Sequence, residues 1–181
     1  MRFTEWFRRY RASRGYGIHS PGAFKVTTRV VRSDGNTVYY GEEELSLADA
    51  PARQIKRARM LLRFAAEMQP SNVWVSPGIP EIYKSALRLA GCVVRIFEGD
   101  VYPDEIKNAD MIVLDGCKLK KSSVQKALTP GKSFIGFDLP SSTIKYVHSL
   151  LKGGWLLDGA GSLLASSTSD PALHKYEISR F

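Results

Sequence analysis

Three carboxylates follow short apolar runs: Glu98 after VVRIF, Asp115 after MIVL and Asp138 after FIGF. If those runs are strands of one parallel sheet, the three acids lie at its carboxyl edge, where open α/β folds place ligands. Carboxylates there accept hydrogen bonds, and several together suit a hard divalent cation. A local reading competes. Gly99-Asp100, Gly116 and Pro140 follow closely, so each acid also suits a turn or a helix cap. His19 beside Ser20 pairs a base with a hydroxyl. Ser20-Pro21 equally suits a helix start, with the serine as N-cap and the proline at the first helical position. His148 and His174 stand apart from any partner in sequence. Neither a Ser-His-Asp order, a Walker loop, a zinc spacing nor an RNA-binding signature is present. Cys92 and Cys117 lack metal-ligand spacing and read as buried free thiols of a reducing cytoplasm.

The elements that must position these groups alternate along the chain. NVWVSPGIPEIYKSALRLAGCVVRIFEGD (72–100) reads as strand, tight loop, helix and strand, the opening of a nucleotide-binding α/β fold. Strands are predicted over Val73–Val75, Val93–Phe97, Met111–Leu114 and Phe134–Phe137, adjacent and parallel with the first near the centre. Helices are predicted over Pro80–Ala90, Val124–Leu128 and Ser141–Leu151. Trp155–Leu157, Leu163–Ser166 and Tyr176–Ser179 read as short strands adding an antiparallel edge. Apolar, β-branched strands alternating with amphipathic helices predict a mostly parallel sheet covered on both faces. Before it, Asp49–Met68 carries the stripe Ile55, Ala58, Leu61, Leu62, Ala65 and Met68, with Lys56, Arg57, Arg59 and Arg63 on the wet side. A helix from Pro21 to about Val31 and a short extended Thr37–Tyr40 complete the lead-in. The expected organisation is a helical N-terminal arm over residues 1–48 and a sheet domain over 49–181.

Of 181 residues, 26 are Lys or Arg and 18 are Asp or Glu, a net charge of +8. The excess is local. Residues 1–32 contain eight basic side chains and Glu5 as their single acid, while the rest is nearly balanced. A nucleic-acid-binding body would need a basic face of its own. Phe3, Trp6, Phe7 and Tyr10 share one helical face of the arm. They predict contact with a protein partner or a second copy, ahead of nucleic acid or an anionic membrane. No apolar run reaches the length of a transmembrane helix, and the N-terminus lacks the apolar core of a secretory signal.

GYGIHSPGAF (15–24), ADMIVLDG (109–116) and FIGFDL (134–139) resemble a class I S-adenosylmethionine-dependent methyltransferase, of the small O-methyltransferase-like kind found in one bacterial branch. The resemblance implies an α/β fold with a reduced Rossmann-like sheet. It implies that Gly78, Glu98 and Asp115 face the cofactor, Glu98 at the ribose, and that Asp115 and Asp138 match positions holding a divalent cation. The chain departs from the pattern in its first loop. The acidic position falls on Val75 and the two glycine positions on Pro77 and Glu81. Pro77 and Pro80 each remove an N–H donor. Glu81 at a helix start is expected to occupy the electropositive site an anionic ligand group would use. From Glu98 to Asp110 there is too little chain for the family's next helix and strand, so part of the adenine wall is missing. The expected function is therefore a methyltransferase-like protein acting as a non-catalytic binding or scaffold module that needs no cofactor. The alternatives are an active small-molecule O-methyltransferase using S-adenosylmethionine, and a peripheral membrane or nucleic-acid binder led by the basic arm.

Overall fold

A computed structural model describes residues 3–12, 15, 17–32, 39–96, 108–116, 131–159, 162–167 and 172–178. The predicted helix over Val124–Leu128, together with Glu98 and Cys117, lies outside the described residues.

The body is α/β, built on one mixed, mostly parallel seven-stranded sheet. Its strands are β1 (Asn72–Val75), β2 (Val93–Ile96), β3 (Met111–Asp115), β4 (Ser133–Phe137), β5 (Gly154–Asp158), β6 (Leu163–Ser166) and β7 (Leu173–Glu177). The order is β2-β1-β3-β4-β6-β5-β7. The first four are parallel neighbours, as expected, but β1 lies second from the edge rather than near the centre. The tail strands do not form an antiparallel edge. β6 alone is reversed, inserted between β4 and β5, and the edge strand β7 runs parallel to β5. That ladder pairs Gly154–Asp158 with Leu173–Glu177, so β7 starts three residues earlier than the sequence suggested.

Strand alternation sorts the core into two layers. Val73, Val75, Met111, Val113, Ile135 and Phe137 face one cluster, and Trp74, Ile112, Leu114 and Phe134 face the other. The first layer is covered by α4 (Ala52–Met68) and α5 (Glu81–Leu89), the second by α6 (Ser141–Leu150). α4 begins at Ala52, not Asp49, because Pro51 has no N–H to donate and disfavours helix in the residue before it. Its C-terminus closes with Gln69 in a left-handed conformation, φ 50°, just ahead of Pro70.

The lead-in is α1 (Phe3–Ala12), α2 (Pro21–Lys25), a π-helical stretch (Val26–Arg32) and α3 (Glu42–Ser46). Ser20 caps α2 and Pro21 is its first residue, as read from the sequence. Ala23, Val26, Val30 and Leu45 share one core cluster with Leu61 and Trp155, so the described residues 18–32 and 39–48 pack into the same interior as the sheet. Among the described residues no helix is long and apolar enough to cross a membrane.

Candidate functional site

The chain steps outward from β1 to β2, then returns to β1's other side with β3. That reversal makes the carboxyl ends of β1 and β3 the topological switch point, where open α/β sheets form a ligand crevice. The loop after β1 supplies Ser76, Pro77, Gly78 and Pro80. Ser76 is buried, its N–H donates to Val113 O at 2.9 Å, and its Oγ accepts the Asp115 N–H at 3.1 Å. The two strand ends are thereby tied together. Gly78 adopts φ +71°, a conformation that favours glycine, and nothing lies within 4 Å of where a Cβ would stand.

Asp115 and Asp138 come together here, but around an arginine. Arg57 Nη1 donates to Asp138 Oδ2 at 2.8 Å and lies 3.5 Å from Asp115 Oδ1, so one nitrogen bridges both carboxylates. Arg57 Nη2 donates to Asp138 Oδ1 at 2.8 Å, completing a bidentate pair, and Arg53 adds a bond of 2.7 Å to the same oxygen. The Arg57 guanidinium carbon stands 5.0 Å from the centre of the Phe137 ring, which Tyr83 meets edge-on at 5.6 Å. Tyr83 Oη is buried beside the guanidinium without a hydrogen bond of regular geometry. Asp138 holds a left-handed backbone, φ 49°, which aspartate tolerates better than most residues.

The electrostatics follow from this contact. Burial pushes the Asp115 carboxyl up, and neighbouring Asp138 adds to the rise against the pull of Arg57. Asp138 is held below its ordinary value, chiefly by the hydrogen bond from Arg57. Burial is the largest influence on Arg57 and draws it down, but the hydrogen bonding and charge of Asp138 and Tyr83 together outweigh it and leave it raised. Two carboxylates with a guanidinium already between them do not fit a shared divalent cation, which needs their open oxygens and several more. Among the described residues, no group of three or more His, Cys, Asp or Glu gathers in a metal-binding arrangement.

Three other expectations change. Arg57 and Arg63 do not lie on a wet face: both are 8% exposed. Arg63 grips Glu42 of α3 together with Arg59, and donates to Val30 O at 3.4 Å. Widening the apolar stripe of α4 to include the buried Met60 and Phe64 would have put Arg57 inside it, the one sequence signal for it. Glu81 does not fill the α5 N-terminus. Its carboxylate turns along the helix surface to Lys84 and to Arg88, the latter at 2.9 Å, and these contacts, Lys84 first, hold it below its ordinary value. Half of the arm's eight cations pair with acids of the chain itself. Arg8 and Arg9 reach Glu177 at 3.2 and 3.1 Å, and Lys25 and Arg29 reach Glu67 at 2.5 and 3.5 Å. His19 contributes its backbone, donating with Ser20 N–H to Tyr176 Oη at 3.1 and 3.0 Å.

Fold and site together define an α/β protein with a Rossmann-like sheet whose switch-point crevice contains an internal Asp–Arg–Asp bridge. No known family model matches the chain, and no curated protein matches it.

Proposed function

We propose that the chain is a methyltransferase-like protein of the bacterial, small O-methyltransferase-like kind whose cofactor crevice has been given over to structure, leaving a non-catalytic binding or scaffold module. The observation that carries this reading is Arg57, which spans Asp115 and Asp138 at the switch point. The loop supports it. Pro77 and Pro80 offer no N–H, and the Ser76 N–H already serves Val113. The residues present therefore do not fit S-adenosylmethionine as the family holds it, and no reaction step is assigned to them.

The partner-facing surface in this reading is α1. Trp6 and Phe7 are 47% and 46% exposed, and Tyr10 stacks on Trp6 with ring centres 5.3 Å apart. The favoured partner is a protein or a second copy. Cys92, a buried free thiol, supports a cytoplasmic setting.

Calorimetric titration with S-adenosylmethionine and S-adenosylhomocysteine tests the reading. Each unmet hydrogen bond to a charged ligand group costs about 1.5–3 kcal/mol, so two weaken binding roughly a hundredfold or more. No heat is expected at micromolar ligand. Micromolar binding would sink the reading and favour the active enzyme. Sedimentation of the Trp6→Ser, Phe7→Ser variant tests the surface: association unchanged from the parent would remove α1 from it.

A further inference from the structure

α1 leaves a cleft beneath it. Two adjoining cavities of about 780 and 760 Å³ open between this helix, β5, β7 and α6, sharing His148, Asp158, Lys175 and Glu177. Each is large enough for a ligand of metabolite size. Among the described residues, five cationic side chains line them against two carboxylates, leaving three positive charges in excess. Arg8 and Arg9 both converge on Glu177 Oε2, whereas Lys145 and Lys175 have no ion-pair partner among the described residues.

Three buried side-chain polar atoms among the described residues lack a hydrogen-bond partner, and two of them, Arg9 Nε and His148 Nε2, belong to residues lining one of these cavities. Asp158 Oδ2 lies 3.6 Å from His148 Nε2, beyond hydrogen-bond reach. Both atoms are covered by the protein itself, so the groups open to the cleft are the exposed side chains of Arg8, Lys145 and Lys175.

We propose that this cleft binds a ligand carrying a phosphate group. Lys145 and Lys175 donate to its phosphate oxygens, and Arg8 and Arg9 add positive charge beside them. The excess of three cations suits a multiply charged phosphate better than a single carboxylate, and arginine's fork matches phosphate geometry. Phe7 gives the cleft an apolar wall for the rest of the ligand. The cleft shares no residue with the Arg57 bridge, so this assignment and the crevice reading stand or fall separately.

The test titrates the full chain with inorganic pyrophosphate, following heat and the ring NMR signals of the three histidines. His148 should shift while His19 stays still. Lys145→Gln with Lys175→Gln should weaken binding at least about tenfold, since each lost charged contact is worth that much. Lys56→Gln, on the exposed face of α4, should change nothing. Both cleft lysines are exposed and without an ion-pair partner among the described residues, so the double variant should fold as the parent does, and Arg8→Gln provides a second route to the same loss. A parallel arm sediments the protein with vesicles of phosphatidylcholine and phosphatidylglycerol. Pyrophosphate binding without vesicle binding identifies a soluble phosphate compound. Vesicle binding that the lysine variant loses identifies a lipid headgroup. Failure of both probes to bind, or binding that the lysine variant retains in full, would overturn the proposal.

Discussion

Replacing Arg57 by methionine keeps an unbranched apolar stem and removes the guanidinium and its charge. The guanidinium makes two bonds of 2.8 Å to Asp138 and one contact of 3.5 Å to Asp115. Bonds to charged groups contribute about 1.5–3 kcal/mol each. Asp138 is 44% exposed and keeps Arg53, so solvent screening reduces its share by about half. Asp115, at 21% exposure, is left as a half-buried carboxylate without its cation. The net loss should be about 2–4 kcal/mol, or roughly 5–15 °C in Tm for a chain of this size. Its pH dependence carries a sign. Asp138 is depressed by Arg57, so its contribution is complete above the ordinary aspartate value of about 3.9 and is lost as pH falls through its lower folded value. Asp115 is raised, so it weakens the fold as pH rises from about 3.9 through its folded value, and removing Arg57 enlarges that penalty. Both effects make the gap between parent and variant wide at neutral pH and narrow below about pH 4. Urea unfolding followed by circular dichroism, repeated from pH 3 to 8, reads both quantities. A variant within about 0.5 kcal/mol of the parent at pH 7, or a gap independent of pH, would refute the bridge as a structural element.

Glu67, 9% exposed, accepts a 2.8 Å hydrogen bond from Tyr39 and pairs with Lys25 and Arg29, so it pins the lead-in to α4. Glu67→Ala should cost about 1–3 kcal/mol, discounted because both cations are half-exposed, and should speed amide exchange across Val26–Arg32. Unchanged protection there would count against the pin. Burial, aided by Asp110, pushes the Cys92 thiol up to about 11. Iodoacetamide at pH 8 should therefore leave Cys92 unmodified in the folded chain and label it after unfolding, as read by peptide mass spectrometry.

Much of the architecture was legible because its signals are local. Val73–Val75, Met111–Asp115 and Ser133–Phe137 are short, apolar runs bounded by turn residues, and only a buried parallel strand uses such a run well. Ser20-Pro21 fixed a helix start through one side-chain oxygen and one locked φ. Strand order could not be read the same way. β6 slips between β4 and β5 because of pairings across the sheet, and its four residues look like any other buried strand. Side-chain direction failed for a related reason. Helical periodicity sends charge to water, so Arg57 and Arg63 read as wet. Their actual partners, Asp138 and Glu42, lie 81 and 21 residues away in sequence. Asp115 and Asp138 were visible as acids at strand ends, but the arginine between them depended on how α4 crosses the sheet. Glu81 likewise had a visible helix terminus and a hidden competitor, Lys84 and Arg88 along its own helix. The sequence alone determined which segments are strands and helices, since that depends on neighbours within a few residues. The tertiary structure alone decided which charges meet, since a buried ion pair forms only where packing brings both partners out of water together.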